Sequence, residues 1–370
     1  MEEKPNNAFN KIVLLLPSLN YSTYTLDDLE NPKLVAVYGI YWDVSLFITT
    51  SLFCFMLHMI IKKSSSEMSG YKWYLVHQLT WSYIFDVYFG FWKVVPLWPF
   101  FMGYSTGIFA NLKGNYARLQ LLITIFLAVG MAFSVLVSVV HRYVQASPFS
   151  YFYRYYNVIP IRAIFYVVIF IGFEGTLVVP ILFILPEQPD LESIMTSKYP
   201  ALIEIYEAHS SVFGYETTDT VLQYMVLIMF VIFIVCIFIL ILYLNFLRIL
   251  KKNKQHLSIG TYNMQLMLFK TLFIQIVLFG ILLIFPASAA FILTLFGFRY
   301  MSKISLVALA ILGTHAFFDF FVLSYFIRSY REHVKSCYNA VKMKLGFKVE
   351  LPIVTPLGPS TVSDMPTRFQ

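Results

Sequence analysis

Several ionisable side chains interrupt otherwise apolar stretches of the chain: Asp43, Asp86, Lys93, Glu174, His315 and Asp319. A charge inside a long apolar segment is costly to bury, so each is a candidate for ion handling, proton transfer or a conformational switch. Asp86 and Lys93 stand seven residues apart, two turns along the same helix face, placed to pair through water inside the bundle. His315 and Asp319, four apart, share a face of their own and are placed to meet Asp86 across a helical interior. Such a set is either a satisfied structural hydrogen-bond network or a polar switch with two arrangements. Asp43 and Glu174 have no partner that the sequence identifies. Arg142, in the triplet His141-Arg142-Tyr143 that ends a long apolar run, is either a snorkelling anchor at a lipid boundary or the cytoplasmic lock of a signalling receptor. The motifs of soluble enzymes are missing: H-E-x-x-H, the P-loop, G-x-G-x-x-G and C-x-x-C. No lysine lies well inside the last apolar run, which argues against a retinal Schiff base, and no cofactor or metal is expected.

The elements that must carry these residues are long and apolar. Of 370 residues 59% are hydrophobic and 13% charged, and mean hydropathy is +0.71, more than a soluble core of this size requires. Seven stretches are long enough to cross a bilayer: Leu34–Ile61, Trp73–Phe100, Asn115–Val140, Ile161–Leu185, Val221–Leu247, Leu266–Leu295 and Ile304–Ile327. The expected fold class is therefore an all-α membrane protein, a seven-transmembrane helix bundle. The third stretch, with Gly130, Ala132, Ser134 and Ser138 at helical spacing, is the expected hub, because small residues let neighbouring backbones approach. Pro96, Pro99, Pro180 and Pro286 fall within or at the ends of the stretches. Gly280 and Pro286 mark a candidate hinge in the sixth.

The net charge of +7 reflects membrane orientation and not nucleic-acid binding, since the basic residues flank apolar runs and form no stripe. Lys62, Lys63, Lys72, Arg154, Arg162, Arg248, Lys251, Lys252, Lys254 and a basic tail lie on one side; Lys33, Lys113, Lys198, Arg299 and Lys303 lie on the other, sparser side. The positive-inside rule then places the N-terminus outside. The sequon at Asn20 agrees with that, as a glycosylation acceptor. The N-terminal apolar piece, Ile12 to Leu16, is too short for a cleavable signal. Cys54, Cys236 and Cys337 are placed where no structural disulfide is expected. The stretch from Glu187 to Asp219 reads as a solvated acidic loop or as a field gathering cationic ligands. The expected organisation is an extracellular segment over residues 1–33, the bundle over 34–327, a juxtamembrane amphipathic helix over 328–349 lying on membrane lipid with Cys337 as a possible acylation site, and a disordered tail over 350–370.

Several stretches resemble the nematode seven-transmembrane chemoreceptors, the Str superfamily, and especially its serpentine receptor classes h and i. The second stretch and its sequel carry a mid-helix Asp86, Pro96, Pro99 and a Gly-Tyr-x-x-Gly at Gly103, Tyr104 and Gly107. The sixth is similar to the family's Q-x-x-L-F-x-x-L-x-x-Q, through Gln265, Leu268, Phe269, Leu272 and Gln275, and ends in Pro286. The junction with the tail has His315, Tyr330 and Arg331. Two departures stand out: Phe279-Gly280 replaces a second proline in the sixth span, and His141 replaces the acid or Asn that usually precedes the arginine.

The resemblance implies a G-protein-coupled-receptor-like fold and a chemosensory receptor of sensory neurons. It would bind a small-molecule ligand in the outer half and signal to a heterotrimeric G protein at a positively charged inner cleft. His141, Arg142, Tyr143, Lys251, Lys252, Lys254, Tyr330 and Arg331 are the expected coupling residues. Asp86, Lys93, His315 and Asp319 form the polar switch. Arg118, Tyr224 and Phe291 are ligand-pocket candidates, chosen for depth and side-chain type. A ligand-gated ion channel, a secondary transporter using Asp86 and Asp319, and an orphan scaffold are the alternatives.

Overall fold

The computed structural model describes residues 24–64, 68, 70–146, 151–184, 186–216, 218–256, 259–295 and 298–347. Asn20 and the tail over 350–370 lie outside them. Long apolar runs form helices because hydrocarbon offers no partner for a free backbone amide. The crossings are α2 (Pro32–Lys63), α3 (Lys72–Trp92), α4 (Asn115–Gln145), α6 (Ile159–Ile184), α9 (Asp219–Lys252), the pair α10 (Ile259–Phe279) and α11 (Phe285–Leu295), and the pair α12 (Met301–Leu312) and α13 (His315–Phe326). Shorter helices α1 (Leu26–Leu29), α5 (Tyr151–Tyr156), α7 (Gln188–Lys198), α8 (Ala201–Ala208) and α14 (Arg328–Lys344) join or flank them. Six crossings satisfy length and hydropathy outright; the seventh, α3, is more polar and sits between α2 and α4. Local chemistry sets the ends. Asn31 Oδ1 accepts the Leu34 N–H at 3.0 Å, with Pro32 as the first helical residue, and Lys62 and Lys63 sit in the last turn of α2 against its dipole.

The second span ends at Trp92, not at Phe100. Lys93 adopts a left-handed conformation, φ 47°, and the chain turns into strands β1 (Val94–Pro96) and β2 (Met102–Ser105), joined antiparallel by β3 (Phe213–Gly214). Pro96 and Pro99 therefore belong to a hairpin and kink no span. The free carbonyls at the end of α3 are taken by the following loop: the N–H groups of Thr106, Gly107 and Ile108 donate to Lys93, Trp92 and Phe91. A Cβ on Gly107 would lie 1.8 Å from the Phe91 oxygen, so only glycine fits there. The stretch 187–219 is also no simple loop. Leu191 and Met195 of α7 and Leu202 and Ile205 of α8 are buried under the sheet with Leu97, Phe100 and Tyr104. Together with α1 these pieces form a cap over the amino-terminal end of the bundle.

Within the bundle, α3 and α4 are central. Trp81 packs over Gly130, and Ser134 and Ser138 are fully buried, while Ala132 faces outward and does not serve the hub. The sixth crossing contains a π-helical turn, Gly280–Ile284, directly before α11. The seventh breaks at Gly313-Thr314. There the Thr314 N–H turns to Ile311, the Ala310 carbonyl is released, and Tyr41 O–H of α2 donates to it at 2.5 Å. In contrast α6 and α9 expose apolar faces along most of their length, with Phe183 at 85% and Phe230 at 59% exposure, as lipid-facing helices do.

Candidate functional site

Three constellations carry the candidate residues. The first lies mid-bundle. Asp86 of α3 and Asp319 of α13 are both buried and close enough to interact electrostatically. His315 Nε2 stands 3.5 Å from Asp319, and its Nδ1 lies 3.2 Å from Ser82 Oγ; Gln275 of α10 stands beside Asp319. One oxygen of each carboxylate and the Gln275 Oε1 keep no hydrogen-bond partner among the described residues. In this low-dielectric setting an incompletely satisfied polar group is costly. Lys93 is not a member. From its left-handed position beyond the helix end its Nζ reaches Asp43 at 2.6 Å, which gives Asp43 a partner as well. Glu174 of α6 stands apart, its carboxylate oxygens without hydrogen-bond partners among the described residues.

The second constellation closes the carboxyl-terminal end. Arg142 is 2% exposed, and its guanidinium carbon lies 3.3 Å from the centre of the Tyr71 ring. Its Nε and Nη2 have no acceptor among the described residues. His141 stacks on Tyr74 at 3.8 Å, and its Nδ1 lies 2.9 Å from the Tyr156 hydroxyl, which is 2.7 Å from that of Tyr166. Tyr330 is fully buried and donates to Ser64 Oγ at 2.6 Å. Tyr143 packs half-buried against the cluster of Ala146, Phe246, Leu250 and Phe269. Lys251, Lys252, Lys254 and Arg331 are exposed around this core. The expected cleft residues thus divide into a buried, aromatic-covered set and an exposed basic rim. Sequence reasoning missed Tyr71, Tyr74, Tyr156 and Tyr166, although tyrosines crowding a helix start and the run Tyr-Phe-Tyr-Arg-Tyr-Tyr at 151–156 were the available signal.

The third lies beneath the cap. Tyr224 of α9 and Phe291 of α11 meet in one buried cluster with Phe101, Ile181, Tyr215 and Val221. Arg118 stands beside it, not in it: its guanidinium donates to the Pro186 carbonyl at 2.9 Å and pairs with Glu187 at 3.4 Å. The cap is held by polar clips. The Arg299 guanidinium bound at 2.8 Å holds the Asp28 carboxyl well below the usual carboxylate range. His209 and the Tyr104 hydroxyl, both bonded to Glu30, lower its carboxyl likewise. Gln188 and the Gly214 backbone exchange two hydrogen bonds.

No grouping of His, Cys, Asp and Glu among the described residues is arranged to hold a metal ion. Cys337 lies on α14, 3.7 Å from His333 Nε2, on a helix whose Tyr338, Val341 and Met343 are exposed beside Lys335, Lys342 and Lys344.

A search of curated proteins returns no match. The family model described as "Serpentine type 7TM GPCR chemoreceptor Srh" matches residues 36–340, from the first crossing through most of α14. With seven crossings, a capped amino-terminal end and a buried arginine at the other, the chain belongs to the Srh family of serpentine seven-transmembrane G-protein-coupled chemoreceptors.

Proposed function

We propose that this multi-pass membrane receptor binds a small molecule under its cap, at the Tyr224–Phe291 cluster, and signals to a heterotrimeric G protein at the Arg142 end. The basic residues concentrated at the Arg142 end support a cytosolic position for it, with the cap outside, on a sensory neuron. The observation that carries the reading is Arg142 itself. A guanidinium 2% exposed, set on the Tyr71 ring and with two nitrogens lacking acceptors among the described residues, is a resting arrangement that another state improves. Carbonyl and carboxylate groups at the end of an inserted partner helix would supply those acceptors, and the rim of Lys251, Lys252, Lys254 and Arg331 would draw an acidic partner in. Tyr71 then acts as the latch, taking the part that a carboxylate beside the arginine would play. His141, Tyr143 and Tyr330 hold the ends of α4 and α14 in the latched geometry.

The test is basal nucleotide exchange on a co-expressed G protein. Removing the π face in Tyr71→Leu releases about 1–2 kcal/mol of latch, and exchange without ligand rises roughly fivefold or more. Arg142→Gln and charge reversal at Lys251 and Lys252 lower it. Unchanged exchange in all of these variants removes the assignment.

A further inference from the structure

We infer that the ligand of the Tyr224–Phe291 cluster reaches it from the bilayer, through the seam between α6 and α9, and is therefore a neutral molecule that partitions into membrane. This rests on the cluster being the ligand site. The cap closes the direct aqueous path. Phe101 and Tyr215, members of the cluster themselves, come from the cap, Trp98 packs against them, and the Tyr215 N–H donates to the Phe101 carbonyl at 3.0 Å. Around that clip, Ser302 O–H donates to the Trp98 carbonyl at 2.9 Å, Gly103 pairs with Phe213, Gln188 bonds both polar groups of Gly214, and Ser105 and Ser211 exchange two more bonds. Opening the roof means breaking this set together, because β2, β3 and α7 share it.

The lateral wall is held differently. Among the described residues, the side-chain hydrogen bond that ties α6 to α9 is the Tyr224 hydroxyl donating to the Leu177 carbonyl. Leu177 lies three residues before Pro180, whose missing N–H opens the backbone ladder in that turn. Beyond the tie both helices show bare apolar surface: Val179, Leu182 and Phe183 on α6, Leu227 and Phe230 on α9. Parting this seam turns one tyrosine side chain and separates Ile181 from the α9 members of the cluster, and it unfolds no strand. The composition of the cluster sets the chemistry of its guest. Its buried apolar members carry two polar groups, the Tyr215 and Tyr224 hydroxyls, and the nearby cation Arg118 is occupied by Pro186 and Glu187. A charged guest would be desolvated there without a counter-ion. A ketone, ester, ether or alcohol can accept from Tyr224 once that hydroxyl leaves Leu177, so the bond that shuts the seam becomes the bond that holds the guest.

The experiment follows the route and needs no ligand. In full-length chain with Cys54, Cys236 and Cys337 changed to serine, Phe291→Cys or, as a second position, Val221→Cys is placed in vesicles. Each is treated with a membrane-dissolved alkyl maleimide or with a permanently charged thiol reagent added outside. The expected result is labelling by the alkyl reagent about tenfold or more faster than by the charged one, each rate normalised to an exposed cysteine, since charge is excluded from hydrocarbon. Adding Tyr224→Phe raises the alkyl rate several-fold and leaves the charged rate unchanged; adding Gln188→Ala raises only the charged rate. Labelling by the charged reagent at a matching rate, or alkyl labelling insensitive to Tyr224→Phe, overturns the inference. G-protein exchange in the Tyr71 and Arg142 variants is read separately, so failure of the route and failure of the receptor reading give different results.

Discussion

At the scale of single residues, position along the backbone decides what a charge can do. Asp86 and Lys93 are two turns apart by count, yet the helix stops between Trp92 and Lys93, and the lysine leaves toward Asp43. Its left-handed backbone is an arrangement that glycine adopts freely and a β-branched residue resists. Lys93→Gly trades the ion pair with a largely exposed Asp43 for a relaxed turn, so thermal unfolding in detergent should shift by less than about 0.5 kcal/mol. Lys93→Val keeps no ion pair and adds a Cβ branch at positive φ, costing about 1–2 kcal/mol. Loss of stability in Lys93→Gly comparable to that in Lys93→Val would restore the lysine to the mid-bundle network. The remaining members were legible because i, i+4 spacing on an uninterrupted apolar run survives folding: His315 and Asp319 do share a face, and Asp86 is their neighbour. The Tyr71 face under Arg142 was not legible, because the two are distant in sequence and an aromatic ring leaves no charge pattern to search for.

Elements were readable where one physical constraint dominates. Thickness of hydrocarbon fixes the length of an apolar run, which is why the crossings fall close to where hydropathy places them. The cap obeys a different constraint, burial on one side only, and its signals are short. Leu191 and Met195 are four apart, Leu202 and Ile205 three apart, a helical period hidden by the acidic residues on the outer faces of α7 and α8. Val94–Phe100 reads as a continuation of an apolar span because a buried strand and a membrane helix share composition. The clips that seat the cap make its stability depend on pH. Asp28 and Glu30 have carboxyl pKa values depressed in the folded chain, so their contribution is present above the ordinary carboxylate pKa of about 4 and is lost as pH falls through the folded values. Asp28→Asn should therefore lower the melting temperature near pH 7, and the gap from wild type should close as pH is taken below about 4. A gap that stays constant with pH would mean that the Arg299 pair contributes by packing and not by charge.

Across the whole molecule the two flanks are built to different tolerances. On one side α2, α3, α12 and α13 interlock through Trp42 against Gly313, Tyr41 on the Ala310 carbonyl, and the Asp86 network. On the other, α6 and α9 present apolar surface to lipid, and the sixth crossing carries a π turn whose Phe285 N–H reaches back five residues to the Gly280 carbonyl. A wide turn of this kind is a local defect in the helix ladder, and along the sixth crossing it lies between Phe291 and the basic end. On the proposed reading, motion started by a guest at Phe291 on α11 passes through it toward Lys254 and the α9–α10 turn. Gly280 is the residue that keeps the turn pliant: an added Cβ there meets nothing within 4 Å, so Gly280→Ala changes backbone freedom without a clash. Alanine favours regular helix over glycine by about 1 kcal/mol, and the rest state should gain that amount in thermal unfolding. If the sixth crossing bends here during signalling, the same substitution lowers ligand-evoked exchange roughly fivefold, while basal exchange in the Tyr71→Leu background, where the latch is already open, changes less. Equal loss in both backgrounds would locate the bend elsewhere, at Pro286 or in the α9–α10 turn, because the effect of stiffening Gly280 would then be independent of what the latch releases.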